Sequence, residues 1–268
     1  SIVNSNKIEG IVTTPSRIKE LMNQKTAPKN RDEEEIMGYR DVLNTIHESY
    51  EYMPISSNYI LQLHKELYKY SEKGIGGRYK NTQNSIVEKY EDGTILEKFK
   101  PLPPYETLNA VDKICTEIRI ALDEKEVDSL LLIPIFIHDF LCIHSFNDGN
   151  GRMNRLLTTL LLYRQGYVIG KYISLESKIE KNKTGYYLSL EKSGIDWHDN
   201  KEDVTYFIKY ILRIILAAYI DFEERVGYVE EKQPTIELVR NAVNNKIGKF
   251  TKSDMMELVP SVGKEQLK

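Results

Sequence analysis

Residues 144 to 155 read His-Ser-Phe-Asn-Asp-Gly-Asn-Gly-Arg-Met-Asn-Arg. One short segment thus holds an imidazole, a carboxylate, two glycines and two guanidinium groups. Gly149 and Gly151 flank Asn150, so the backbone can take left-handed conformations and aim successive N–H groups at one spot. If a helix starts there, its dipole adds field of the same sign. Arg152 and Arg155, three apart, are expected to project from the first turn towards the same space and hold phosphates. Arginine at a helix N-terminus opposes the dipole, at about 0.3 to 1 kcal/mol each, so this placement points to an anionic ligand. Asp148 would repel that ligand unless a divalent cation lay between them, and Mg²⁺ is the expectation. His144, with an ordinary pKa near 6.5, suits the acceptance of a proton from a hydroxyl. Phe146 reads as a core anchor, and Leu156, Leu157, Leu160 and Leu161 as core on the opposite face.

Two nearly all-apolar runs, Ser129 to Ile143 and Leu156 to Tyr163, flank this polar segment and read as helices in the middle of the core. Before them, Ile36, Tyr39, Leu43 and Ile46, then Tyr59, Ile60, Leu63 and Leu67, predict two helices broken near Pro54. Gly74, Gly76 and Gly77 mark a loop. The period then changes to two over Ser85 to Tyr90 and Thr94 to Phe99, and the intervening Asp92-Gly93 predicts a hairpin. Pro104 opens a helix with Leu108, Val111, Ile114, Ile118 and Leu122 on one face. Further helices are expected over Lys181 to Lys192 and Lys201 to Val226, the latter ending at Gly227. The fold class is mainly α with one β-hairpin.

The chain has 268 residues, 41% of them apolar, with 37 Lys and Arg against 40 Asp and Glu. That supports a full core and excludes disorder and fibrous architectures. A net charge of −3 and a pI near 6.0 supply no global basic field for nucleic acid or anionic membranes. The longest apolar run is too short to span a bilayer, and no basic start precedes an apolar N-terminal stretch. Cys115 and Cys142 sit in apolar helical patterns and read as reduced core thiols. The expectation is a cytoplasmic protein without a membrane partner.

The run His144 to Arg155 resembles the signature of Fic domain proteins, His-Pro-Phe-x-Asp/Glu-Gly-Asn-Gly-Arg-x-x-Arg, at every fixed position except that Ser145 replaces the proline. The resemblance extends over roughly residues 34 to 226. It implies a helical bundle with a target-positioning flap at hairpin 85–99, and transfer of AMP from ATP to a protein Ser, Thr or Tyr hydroxyl. His144 would be the base and Asp148 the Mg²⁺ ligand. Gly149, Asn150, Gly151, Arg152 and Arg155 would hold the triphosphate, with Asn150 orienting the α-phosphate. Gly149, where kinase-like relatives carry a bulkier residue, favours adenylyl transfer. Tyr186 and Tyr187 are candidates to wall the adenine, with a core role as the plainer reading.

Ser5-Asn6-Lys7-Ile8-Glu9-Gly10 resembles the inhibitory pattern Ser/Thr-x-x-x-Glu-Gly/Asn of many Fic proteins. Ser5 and Glu9 would share a helical face and Gly10 would end the helix. Glu9 would then pair with Arg155 and take the γ-phosphate position in cis. The domains read as residues 1–31 with the inhibitory helix, 32–229 catalytic, and 230–268 a truncated winged-helix-like module. The partners expected are a protein substrate docked on the hairpin edge, the chain itself as a target, an oligomer, and DNA through the C-terminal module. Alternatives are a hydrolase removing AMP on the same scaffold, and a DNA-binding transcriptional regulator.

Overall fold

The computed structural model describes residues 1–231 apart from 24, 25, 72, 73 and 91, together with residues 240 and 251. The chain divides into two compact units, Ser1–Tyr219 and Ile220–Lys268. In the first, α1 (Ile2–Ile8) and α2 (Pro15–Met22) precede α3 (Arg31–Ser49) and α4 (Ser57–Leu67). Then follow β1 (Ile86–Lys89), β2 (Ile95–Phe99), α5 (Pro104–Glu124), α6 (Ser129–Ile143) and α7 (Asn150–Arg164). α8 (Leu175–Lys181), α9 (Lys183–Ser193) and α10 (Thr205–Glu231) complete the order among the described residues. The mainly α expectation, with a single two-stranded sheet among the described residues, is what the chain adopts.

Local chemistry sets these boundaries. The side chains of Asn30, Ser56 and Ser174 accept backbone N–H bonds at the starts of α3, α4 and α8, the usual cap for otherwise unpaired first-turn donors. Pro104 opens α5. α6 and α7 pack on each other, burying Ile133, Phe136, Ile137 and Phe140 of one with Met153, Leu156, Leu157, Leu160 and Leu161 of the other. This core fixes both ends of the loop 144–149. Cys115 and Cys142 are buried free thiols.

The hairpin is antiparallel, pairing Lys89 with Ile95 and Glu88 with Leu96, with an irregularity between Ile86 and Val87. Gly93 has a φ of 85° at its turn. The strand end is anchored by Phe99, whose ring stacks on His198 at 5.5 Å and meets Trp197 edge-on at 6.0 Å.

Two helix boundaries differ from expectation. The helix expected over Lys181 to Lys192 is α9, which starts two residues later, and a further helix, α8, precedes it across Asn182. The Asn182 carbonyl accepts from Tyr186 N–H at 3.1 Å and from the Tyr210 hydroxyl at 3.2 Å, which holds the break. α10 begins later, since Asp203 caps Thr205 N–H at 3.0 Å, and it runs through Gly227 to Glu231. Residues 1–31 form part of the first unit: Leu21 is fully buried, and its carbonyl accepts from Arg40 at 2.6 Å. The winged-helix-like module expected over 230–268 falls almost wholly outside the described residues.

Candidate active site

His144 ends α6 in the left-handed conformation, φ 51° and ψ 63°. Its Nδ1 lies 3.4 Å from the Leu141 carbonyl; with the proton there, Nε2 is the acceptor. Burial pushes the imidazole pKa down to about 4. Lys80 adds to that shift, while the Leu141 carbonyl and Glu9 oppose it. His144 is therefore neutral near pH 7, the state a base requires.

The loop after His144 is tied from several sides. Phe146 is fully buried and stacks on His64, centroids 3.7 Å apart and planes at 4°. Gly77 N–H donates to His64 Nδ1 at 3.0 Å, so Nε2 carries the proton and donates to the Asp148 carbonyl at 3.0 Å. Burial lowers the His64 pKa to about 4. Asn150 accepts from Phe146 N–H at 2.9 Å and donates to the Phe146 carbonyl at 2.7 Å.

Gly149, φ 86°, caps the start of α7. A Cβ there would lie 2.9 Å from the Tyr68 hydroxyl, in a backbone conformation that side chains rarely adopt. The first helical bond runs from Met153 N–H to the Gly149 carbonyl at 2.9 Å. The N–H groups of Asn150, Gly151 and Arg152 thus have no acceptor within the helix and form the anion-binding end. A carboxylate already stands there: a Cβ on Gly151 would overlap Glu9 Oε1.

Ser5 and Glu9 reach this end from α1, which closes at Ile8 with Glu9 as its cap and Gly10 at φ 78°. Arg155 donates from Nε to Ser5 Oγ at 2.7 Å, and from Nη2 to the Ser5 carbonyl at 3.1 Å and to Glu9 Oε1 at 2.8 Å. Burial works most strongly against the Arg155 charge, but the Glu9 carboxylate, Tyr186 and Tyr39 together raise the pKa above the ordinary value.

Arg152 departs from expectation. It does not share Arg155's space but turns onto the Tyr68 hydroxyl at 2.6 Å and Glu35 Oε2 at 3.0 Å, with 1% of its side chain exposed. Side chains three apart on a helix point about 60° from each other, and here neighbouring helices on the two sides each offer a carboxylate. A second correction concerns Asn150, whose amide is spent on Phe146, leaving only its backbone N–H for a phosphate. Tyr186 takes the plainer of its two expected roles: it is 3% exposed and packed on Phe207 and Tyr210 as a core residue. Tyr187 is exposed. Asp148 is partly exposed; its Oδ1 accepts from Gly149 N–H at 2.7 Å and its Oδ2 from Arg31 at 2.9 Å.

Sequence reading missed Glu35, Tyr68, His64, Lys80 and Arg31. Glu33-Glu34-Glu35 looks like an ordinary acidic first turn, yet Glu33 and Glu35 are buried. Among the described residues, no three His, Cys, Asp or Glu side chains converge on a metal position, and no helix is long and apolar enough to cross a membrane.

The family model described as the Fic/DOC family matches residues 54–162, the stretch that holds His144 and both arginines. Over those residues the chain is similar to a Fic domain. Over 117 residues, 41% of this chain, it is 32% identical to a protein of Aquifex aeolicus named "Probable protein adenylyltransferase". Over 219 residues, 79% of the chain, it is 23% identical to the protein adenylyltransferase Fic of Nematostella vectensis. The matches cover 36% and 45% of those two proteins, so the chain spans less than half the length of the curated relatives. Its fold is similar to that of a Fic domain containing signaling protein from Bacteroides thetaiotaomicron, with a TM-score of 0.65 at 24% identity, over 81% of this chain and 84% of that one. A C. elegans Fic-1 fragment gives 0.63 at 19% identity, over 87% and 63%.

Proposed function

We propose that this Fic domain is a protein adenylyltransferase that moves AMP from ATP to a Ser, Thr or Tyr hydroxyl and is restrained in cis by Glu9. The observation that carries this reading is the Glu9 carboxylate seated at the anion-binding start of α7, 2.8 Å from Arg155. An acid supplied by the chain's own N-terminal helix stands where a phosphate would be held, and a neutral imidazole is part of the same loop.

With Glu9 withdrawn, the amides of residues 150–152 and the Arg155 guanidinium would hold the polyphosphate tail and offset its charge. His144 Nε2 would take the proton of the target hydroxyl as its oxygen attacks the α-phosphorus. The new oxygen–phosphorus bond forms as the bond to the β-phosphate bridging oxygen breaks, and pyrophosphate leaves with that electron pair. Asp148 fits as the Mg²⁺ ligand: it is a single, partly exposed carboxylate at the lip of the cup, and Mg²⁺ takes few protein ligands beside phosphate and water. When bound, that ion would supply charge neutralisation on the phosphates. Arg152, paired with Glu35, would stiffen the cup rather than grip phosphate.

The hairpin would offer the target its docking edge. Val87, Ile95 and Leu96 are exposed there, and an extended segment can add to such an edge through main-chain hydrogen bonds. The test is intact mass after incubation with ATP and Mg²⁺ and a candidate protein. An AMP-sized increment on chain or target is expected with Glu9→Gly and none with Glu9→Gly/His144→Ala. No increment with Glu9→Gly on either protein would overturn the assignment.

A further inference from the structure

The segment just before the hairpin does more than lead into it. Lys80, 3% exposed, sits against the loop that carries His144. Its Nζ donates to the Ile143 carbonyl at 2.9 Å and to Asn84 Oδ1 at 3.1 Å. Its backbone N–H donates to the Ser145 carbonyl at 2.9 Å. Asn84 then donates from Nδ2 to the carbonyls of His144 at 3.4 Å and Phe146 at 3.1 Å. Carbonyls from residue 143 to 146 are therefore all held by Lys80 and Asn84, neither of them on the helices that bracket the loop.

This matters because Ser145 stands where the family signature has a proline, whose ring would restrict the loop covalently. Ser145 is fully buried, and its Oγ is among the buried polar atoms without a partner, so its side chain does nothing to hold the turn. A left-handed conformation at a non-glycine residue such as His144 persists only where its surroundings over-determine it. Lys80 is also a cation with no carboxylate paired to it among the described residues, set where it disfavours a second positive charge on His144.

Resting on the adenylyltransferase reading, we propose that Lys80, braced by Asn84, is the positioning residue of the transfer step. It clamps the His144 loop in the place of the missing proline, and its charge adds to the larger effect of burial against a second positive charge on His144. The charged groups that face His144 are Lys80 from this segment and Glu9 from α1. Glu9 acts in the opposite sense, so removing Lys80 raises the His144 pKa.

The experiment uses the full chain with Glu9→Gly as parent, and compares Lys80→Met, Lys80→Arg and Asn84→Ala. NMR titration of the His144 ring, assigned by its loss in His144→Ala, reads the clamp without any transfer. The His144 midpoint is expected to rise in Lys80→Met and to stay near the parent in Lys80→Arg. Amide exchange over 143–147 is expected to speed up in Lys80→Met and in Asn84→Ala. In the transfer assay, kcat falls about tenfold or more in Lys80→Met, as for small misplacements of a reacting group, with KM for ATP little changed and partial rescue by Lys80→Arg. An unmoved His144 midpoint and unchanged exchange in Lys80→Met overturn the proposal whatever the activity. Should Lys80→Met not fold, unchanged loop exchange in Asn84→Ala overturns it. A parent that transfers nothing, with midpoint and exchange shifted as expected, counts against the adenylyltransferase reading and not against the clamp.

Discussion

Arg155 Nη2 stands 2.8 Å from Glu9 Oε1, although 146 positions separate the two in the chain. The pair joins α1 to α7, and the Ser5 hydroxyl and carbonyl complete the guanidinium's partners. Arg155 is 3% exposed and Glu9 about a third exposed. The acid therefore faces the site mouth while the base is held in the interior, so the acid is the partner that can leave.

Glu9→Gly should raise the initial rate of AMP incorporation from labelled ATP. A lost contact of this kind is worth several kcal/mol when fully buried, and screening at the exposed acid reduces that, so about ten- to a hundredfold is expected. Ser5→Ala should give a smaller rise, because Glu9 stays. Equal rates for wild type and Glu9→Gly would remove the restraint from the account.

Gly151 supplies an independent probe of the same contact. A Cβ at 151 overlaps Glu9 Oε1, so Gly151→Ala should push the carboxylate out of its seat. The ratio of Glu9→Gly to Glu9-containing rates, measured with and without Gly151→Ala, is expected to shrink towards one in the alanine background. An unchanged ratio would mean that Glu9 does not restrain through this position.

Glu35 and Arg152 make a buried pair, 3% and 1% exposed. Glu35→Leu leaves Arg152 with only the more distant Asp148 carboxylate at 3.7 Å, frees Arg31 as well, and should lower stability by about 3 kcal/mol in urea unfolding. Replacing both, as Glu35→Leu/Arg152→Met, should recover most of that loss. If the double variant is no more stable than Glu35→Leu alone, the pair is not the source of the loss.

Burial holds His64, His138 and His144 neutral down to about pH 4, against about 6.5 in an unfolded chain. Between these values the unfolded state binds more protons, so stability is full above about 6.5 and lost as pH falls towards 4. Calorimetric Tm should drop over that window, and His64→Gln should flatten the slope. A Tm independent of pH from 6.5 to 4.5 would contradict the burial of these rings.

Most of the helices, the hairpin and the loop 144–149 were legible in the amino-acid sequence, because apolar spacing, proline, glycine and Asp-Gly act through neighbours close in the chain; α2 and α8 were not expected. The break at Asn182 was not, since it depends on the Tyr210 hydroxyl. The presence of His144, Asp148, Gly149 and Gly151 together was equally plain, and so was the pattern linking Ser5 to Glu9. Tertiary structure alone decided which way each arginine turned, because that depended on where α1 and α3 placed Glu9 and Glu35. It also decided what holds the loop: Lys80, Asn84 and His64 act on backbone carbonyls. A carbonyl is common to every residue, so no residue type in the loop announces the partner it will meet.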